Sequence, residues 1–301
     1  MLAVFDMIKR VAGSDINVLI TGESGTGKEL VARAIHYNSP RRRARFVPIN
    51  CAGIPETLLE SELFGHVRGA FTGATASRKG LIEDAHGGTL FLDEVAEMPM
   101  LLQAKLLRVL EDKEVRPLGS NRGTVIDFRV VAASNKDLRA RVAAGAFRED
   151  LFFRLNVAGI HLPPLRERNE DLRLLIYHFI EKHAGAQSRV AKGISREALT
   201  LLEAYPWPGN VRELENAVEH AVAFTQGDTI RPEDLPGFLH EGLGSLVEVG
   251  ASRAMTLREL QGRYITRILK KTGGDREKAA RILGVHPRTL RRRAQRAGNE
   301  E

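Results

Sequence analysis

The sequence predicts an α/β protein in three parts. These are a three-layer domain on a parallel sheet carrying a phosphate-binding loop, a small helical subdomain, and a small all-α helix-turn-helix at the C-terminal end. Three observations predict it. Apolar strand-like runs alternate with helix-period segments as far as Leu162, the rhythm of a parallel sheet covered on both faces. Strand-like runs then cease, and a basic, helix-rich segment closes the chain.

In order, strands are expected over residues 17–21, 46–50, 89–92, 128–133 and 157–162. A helix opens at Lys28, where Leu30, Val31, Ala34 and Ile35 recur at helical spacing. Another covers 101–111, with Leu102, Leu106, Val109 and Leu110 on one face. Residues 65–79 and 115–126 break the rhythm and read as insertions. After Pro163-Pro164, helices are expected over 171–183, 196–204 with Ser195 as N-cap, and 211–225, with no further strand. Proline and glycine gather over 231–254 as a partly ordered linker. The last unit opens on the capping-box pattern Thr256-Leu257-Arg258-Glu259 and holds helices over 257–271, 276–283 and 287–296. Gly284 ends the second of these and Pro287 opens the third. The expected domains are 1–165, 166–230, a linker over 231–254, and 255–301.

With 43% hydrophobic residues the chain can bury a sizeable core, and no apolar run approaches the ~20 residues of a membrane span. The N-terminus lacks a secretory pattern, so a soluble, cytoplasmic chain with no membrane partner is expected. The single Cys51 excludes an internal disulfide and a cysteine-rich zinc site, and reads as a small buried residue. The net charge of +7 is concentrated: from Ala251 onward 14 Lys/Arg face 5 Asp/Glu, leaving 31 against 33 in the first 250 residues. An excess confined to one tail marks a nucleic-acid-binding module, the alternative being a solvated tail with no partner.

Gly22, Glu23, Ser24, Gly25, Thr26, Gly27, Lys28 and Glu29 follow the apolar run Val18-Leu19-Ile20 and open a helix. In that context backbone N–H groups converge on an anion at a helix N-terminus, and Lys28 supplies a point charge for β- and γ-phosphates. Glu29 stands where most such loops carry the magnesium-binding Ser or Thr, so the metal must lean on another residue. The strand Thr89-Leu90-Phe91-Leu92 ends in Asp93-Glu94, at the edge that opens onto the ligand crevice of a parallel sheet. Asp93 can hold Mg2+ and Glu94 can orient and deprotonate the attacking water; alone, the pair would read equally as a helix N-cap.

Asn50 ends the neighbouring strand and either holds Glu94 through its amide or serves a turn. Asn135 follows strand 128–133 and can feel the γ-phosphate. Arg148 and Arg154 are either fingers that stabilise phosphoryl-transfer charge or ion-pair partners of Glu149 and Asp150. Phe71, among Gly69, Ala70, Thr72, Gly73 and Ala74, is either an exposed apolar tip for a partner or a side chain tucked into the core. In the tail, Arg288, Thr289, Arg291, Arg292, Arg293 and Arg296 lie on or near the third helix, for base edges and phosphates. Leu283, Val285 and Leu290 are expected in its core, and Leu260, Tyr264, Ile265 and Ile268 form a stripe suited to dimer packing.

Taken together, GESGTGKE at 22–29, ESELFGHVRGAFTGA at 60–74, GGTLFLDE at 87–94, FREDLFFRLNV at 147–157, LPPLRER at 162–168 and WPGNVRELEN at 207–216 carry a family likeness. They resemble the sigma-54-dependent transcription activators, bacterial enhancer-binding proteins of the AAA+ class. The tail GGDREKAARILGVHPRTLRRR at 273–293 resembles their Fis-type DNA-binding domain. The likeness spans nearly the whole chain, and the hexapeptide at 69–74 is its most specific part.

The resemblance implies an AAA+ P-loop ATPase with a helical lid, using ATP and Mg2+. Lys28 and its loop would bind ATP, Asp93 the metal, and Glu94 would act as base with Asn50 as its switch. Arg148 and Arg154 would reach into the neighbouring subunit of a homo-oligomeric ring, a hexamer, and Arg212 would sense nucleotide from the lid. The loop 69–74 would grip sigma-54 RNA polymerase holoenzyme in the closed complex and remodel it to the open one, with 115–126 as a second pore-side loop. The tail would bind an upstream site on double-stranded DNA as a dimer.

Two departures stand out. Relatives usually carry a regulatory domain before the ATPase and a segment that helps hold adenine, which implies a truncated chain or weakened adenine contacts here. Val67 replaces a commonly acidic residue before the loop, which bears on loop dynamics. A DNA-binding repressor or scaffold whose ATPase fold controls only assembly is a different class of function, disfavoured by Glu94 and the two arginines. A generic AAA+ remodeller is disfavoured by the hexapeptide.

Overall fold

A strand buried on both faces favours a run of apolar residues, and the central strand is buried throughout: residues 130–133 are apolar, flanked by the buried polar Arg129 and Ser134. The computed structural model describes residues 1–71, 74–186, 193–240, 256, 261–262, 264–265, 268–269, 272–273, 275–286 and 290. Its elements begin with α1 (Leu2–Ala12), β1 (Val18–Thr21), α2 (Lys28–Tyr37), β2 (Phe46–Asn50), α3 (Glu56–Phe64), β3 (Gly65–His66), β4 (Arg78–Lys79), α4 (Leu81–Asp84) and β5 (Thr89–Asp93). There follow α5 (Met100–Asp112), β6 (Glu114–Val115), β7 (Thr124–Val125), β8 (Arg129–Ser134), α6 (Leu138–Ala143), α7 (Glu149–Leu155) and β9 (Ala158–His161). Last come α8 (Asn169–Ala186), β10 (Gly193–Ile194), α9 (Arg196–Ala204), α10 (Asn210–Phe224), β11 (Thr229–Ile230), α11 (Gly237–His240) and α12 (Arg276–Ile282). Among the described residues no helix is long and apolar enough to cross a membrane.

Two compact units result, Met1–Ile176 with Pro206–Asn216, and Tyr177–Tyr205 with Ala217–Glu301. In the first, five parallel strands lie in the order β2-β5-β8-β1-β9. Alternate residues feed two cores. Val18, Ile20, Val131 and Ala133 meet Val4, Ile8, Val31 and Ile35 of α1 and α2. Leu19, Leu90, Leu92, Val130 and Ala132 meet Leu59, Leu63, Leu102, Leu106, Leu151 and Leu155 of α3, α5 and α7. This is the expected three-layer arrangement, with α5 burying the face read from its periodicity. The helices α1, α3, α6 and α7 were not anticipated; α6 and α7 run only 6 and 7 residues, too short to show a period.

The two insertions are antiparallel hairpins, β3–β4 and β6–β7. They are joined to each other: the Val67 N–H donates to Leu118 O (3.0 Å) and the Leu118 N–H to Gly65 O (2.9 Å).

In the second unit Ser195 caps α9, its hydroxyl accepting from the Ala198 N–H at 3.2 Å. The expectation of no strand after Pro164 is corrected, because β10 and β11 pair in parallel through Gly193↔Thr229 and Ile194↔Ile230. A two-residue pairing carries no readable alternation. The described part of the expected linker is folded, with a 3-10 turn at Pro232–Asp234, then α11, and Leu235 and Leu239 buried. In the tail, Ile265 and Ile268 bury with Ala279, Ala280 and Leu290, and Leu283 and Val285 lie against them. This corrects the dimer stripe: two of its members belong to the chain's own small core, while Tyr264 is exposed. Gly284 ends α12 at φ +62°, a left-handed turn that glycine adopts freely. Thr72, Gly73, Arg288, Thr289, Arg291, Arg292, Arg293, Arg296, Leu260 and the capping-box residues Leu257, Arg258 and Glu259 lie outside the described residues.

One buried charge secures the N-terminal helix. The Arg129 guanidinium, 1% exposed, donates to Val11 O (2.8 Å), Ala12 O (3.3 Å) and Ile16 O (3.2 Å), tying the end of α1 and the segment after it to β8. Replacing Arg129 with Leu removes these three hydrogen bonds, and urea unfolding is expected to show a loss of about 3 kcal/mol. The amides of α1 should exchange with solvent faster than those of α2.

Candidate nucleotide-binding site

Register decides which side chains meet. Thr21 pairs with Ser134 and Asn50 with Asp93, so Gly22, Asn50, Asp93, Glu94 and Asn135 emerge along one rim of the sheet. Lys28, the first residue of α2, is 7% exposed and folds back over the loop. Its Nζ donates to Gly22 O (3.0 Å) and Glu23 O (3.2 Å) and stands 3.7 Å from Glu94 Oε1. Those oxygens offset the cost of burying the ammonium.

Glu94 turns abruptly out of β5 at φ +51°, ψ +45°, a conformation costly for a glutamate. Its N–H donates to Asp93 Oδ1 (3.0 Å), and its own Oε2 accepts the backbone N–H of Asn135 (3.1 Å). Lys28, Glu94 and Asn135 thus meet. Asn50 does not join them: its Oδ1 accepts the Ala52 N–H at 2.8 Å, the turn role, and Glu94 is held by Lys28 and Asn135 instead.

Asp93 offers a hard oxygen donor at the crevice, while the Glu29 carboxylate is spent on Arg33 (Nε 3.0 Å, Nη2 2.7 Å). Among the described residues no three His, Cys, Asp or Glu gather as a metal site. Mg2+ commonly takes one or two carboxylates together with phosphates and water, a demand that Asp93 suits.

The outer side of the loop is held by residues that the sequence did not single out. Glu23 accepts two bonds from Arg166 (Nη1 2.8 Å, Nη2 2.6 Å) and one from Asn210 Nδ2 (3.1 Å). Arg166 first, then Asn210, lower the Glu23 carboxyl to about 2. A depressed carboxyl contributes stability above its unfolded value of about 4.3, so this contribution stays constant from pH 8 to 5 and is lost toward pH 2. Arg168 Nη2 donates to Thr26 O (3.0 Å). Gly25 O accepts the N–H groups of Val211 (2.9 Å) and Arg212 (3.3 Å), which brings Arg212 against the loop. A Cβ on Gly25 would stand 2.2 Å from Gly209 O, so only glycine fits. The arginines of LPPLRER were the available signal, but their partners lie more than a hundred residues away in sequence.

The two remaining arginines point elsewhere. Arg148 pairs with Asp150 at 2.6 Å and draws that carboxyl below its ordinary value. Arg154 donates to Leu110 O (3.1 Å), and its own carbonyl accepts from Asn17 Nδ2 (2.9 Å). Asn17 precedes β1 at the end opposite Gly22, so Arg154 sits at the far rim from Lys28. In the first hairpin Phe71 is 46% exposed, neither in the core nor free, its ring T-shaped against His66 at 5.0 Å. His66 Nδ1 is hydrogen-bonded to Ser61 Oγ (2.8 Å), and Ala74 is buried.

Comparison with known proteins is consistent along the chain. The sigma-54 interaction domain family matches residues 1–161, the AAA+ ATPase lid domain 166–248, and the bacterial regulatory protein, Fis family, 256–296. Regulatory protein AtoC of Escherichia coli K12 is 46% identical over 98% of this chain and 66% of its own length. Response regulator protein PilR of Pseudomonas aeruginosa is 45% identical over 99% of this chain and 68% of its own. The chain thus spans about two thirds of these relatives. A crystal structure of NtrX from Brucella abortus in complex with ADP superposes with TM-score 0.76 at 34% identity, covering 99% of this chain and 68% of that one. NtrX in complex with ATP gives 0.71 at 35%, covering 99% and 67%.

Cys51 reports on the integrity of this rim. Its N–H donates to Asp93 O (2.9 Å), and burial, reinforced by the charges of Asp93 and Glu94, pushes its thiol up to about 12. A disulfide reagent at pH 8 should therefore modify folded protein roughly a thousandfold more slowly than protein in urea, since each unit costs about tenfold in thiolate. Comparable rates would mean that the rim opens.

Proposed function

Because the chain belongs to the sigma-54-dependent transcriptional activators, we propose that it hydrolyses ATP in a homo-oligomeric ring and uses the cycle to open promoters held by sigma-54 RNA polymerase holoenzyme. The observation that carries this reading is the meeting of Lys28, Glu94 and Asn135 where β1, β5 and β8 end. The ADP- and ATP-bound crystals of NtrX support an adenine nucleotide as ligand.

The loop N–H groups and Lys28 receive the phosphates. Asp93 would hold Mg2+, which neutralises phosphate charge when bound. Glu94 is parked on Lys28 and on the Asn135 N–H. Phosphate oxygens that draw Lys28 away release Oε1 to take a proton from the attacking water. Arg212, against Gly25, senses the phosphates from the same subunit. Arg154, at the opposite rim from its own Lys28, serves a neighbour's site, with Arg148 at the N-cap of the same helix α7. The half-exposed Phe71 and the loop 69–74 transmit the cycle to sigma-54, and the basic tail binds an upstream duplex.

Two dead subunits should complement each other. K28A lacks phosphate binding and R154A lacks the finger, so each alone is expected to show negligible turnover. Mixed in equal amounts, they pair an intact finger with an intact loop at about a quarter of the interfaces and recover that share of wild-type ATPase activity. A mixture as inactive as its components would refute the shared site. T72A should retain ATPase activity and DNA binding yet form no open complexes; promoter opening by that variant would rule out the loop's role.

A further inference from the structure

We propose that Arg166 and Asn210 are positioning residues that make an acidic phosphate-binding loop able to accept a polyanion, by consuming the Glu23 carboxylate and gripping the loop from its outer side. The proposal rests on the nucleotide-binding reading above and extends it to residues that do not touch the phosphates.

A loop can turn its N–H groups onto an anion only when its carbonyls face away and find donors there. Those donors can be counted. Gly22 O and Glu23 O take Lys28 Nζ, and Glu23 O also takes the Thr26 hydroxyl (2.8 Å). Ser24 O takes Asn210 Nδ2 (3.0 Å), Gly25 O the Val211 and Arg212 N–H groups, and Thr26 O takes Arg168 Nη2. Three successive carbonyls of the loop are thus satisfied from residues 168–212.

Asn210 is the hub. It is fully buried, at φ +55°, where asparagine is among the few side chains tolerated. Its Nδ2 reaches Glu23 Oε2 and Ser24 O, and its Oδ1 accepts the Leu165 N–H at 2.8 Å. The amide thereby joins the loop to the segment carrying Arg166 and Arg168. The helix α10 starts at Asn210 itself and α8 starts one residue after Arg168, so each begins at or next to a residue that grips the loop.

Charge sharpens the point. A free carboxylate at Glu23 would repel the phosphates that its neighbours bind. The bidentate Arg166 pair cancels that charge while leaving Lys28 for the ligand. Removing Arg166 therefore uncovers a negative charge, and its effect should grow with the charge of the nucleotide. A purely structural role would weaken all nucleotides alike.

The test measures equilibrium binding of fluorescently labelled ATP and ADP to the full chain in wild type, K28A, R166Q, E23Q/R166Q and N210D. R166Q is expected to weaken ATP about tenfold and ADP less, with the unliganded melting temperature nearly unchanged because the side chain is 45% exposed. E23Q/R166Q removes the uncovered charge and should return ATP affinity to within about threefold of wild type. N210D keeps the acceptor for Leu165 but sets a second carboxylate against Glu23, and should weaken ATP at least as much as R166Q. Wild-type affinity in R166Q, equal losses for ATP and ADP, or no recovery in E23Q/R166Q would each overturn the proposal. K28A stands apart: if it binds ATP like wild type, the nucleotide-binding reading itself fails, whatever the other variants do.

Discussion

Everything at the candidate site follows from a constraint on one short piece of backbone. Residues 22–27 must present donors inward, and peptide geometry then forces their acceptors outward, where unpaired they would cost a few kcal/mol each. Lys28 satisfies part of this from within, bending onto Gly22 O and Glu23 O. The rest is met from the turns at 165–168 and 207–212. The steric side of the same constraint is Gly25, whose missing Cβ lets Gly209 O approach.

Strain and register divide the remaining work. Parallel pairing brings the strand ends level, yet a level rim alone would aim Glu94 along its strand. The left-handed turn at Glu94 swings the carboxylate sideways onto Lys28 and Asn135, and the buried residues Val95 and Ala96 that follow hold the turn in place. Nearby, Asp93 ties its own side chain to the Glu94 N–H and its carbonyl to Cys51. The acids therefore leave β5 in different directions, in keeping with the separate tasks proposed for them. Opposite this rim, Arg129 binds the end of α1 to the start of β8. Thus a buried cation and a buried amide, Arg129 and Asn210, each join segments distant in sequence.

Much of this was legible beforehand because it is local. The alternation of apolar strands and amphipathic helices, the face of α5, the Ser195 cap and the left-handed stop at Gly284 depend on residues within a few positions of each other. The same holds for the glycine-rich loop and the acids after Leu92. What was missed is short or non-local: the two-residue β10–β11 pairing, the short helices α6 and α7, and the inward turn of Ile265 and Ile268. Asn50 shows the limit within the site itself, since the same asparagine could serve a turn or a switch, and the tertiary structure adds the contact of its Oδ1 with the Ala52 N–H.

The sequence by itself determined the chemistry on offer: a phosphate-binding loop, paired acids at a strand end, two arginines in one segment, an apolar-tipped insertion and a basic tail. It did so because each of these is a pattern of neighbouring residues. Only the tertiary structure decided which groups meet. Glu94 meets Lys28 and Asn135 rather than Asn50, Arg154 stands at the far rim from its own loop, and Glu23 is ion-paired with Arg166 and hydrogen-bonded to Asn210. Those meetings depend on strand register and on contacts closing across more than a hundred residues, where loop closure and burial select the partner and local sequence carries no record of it.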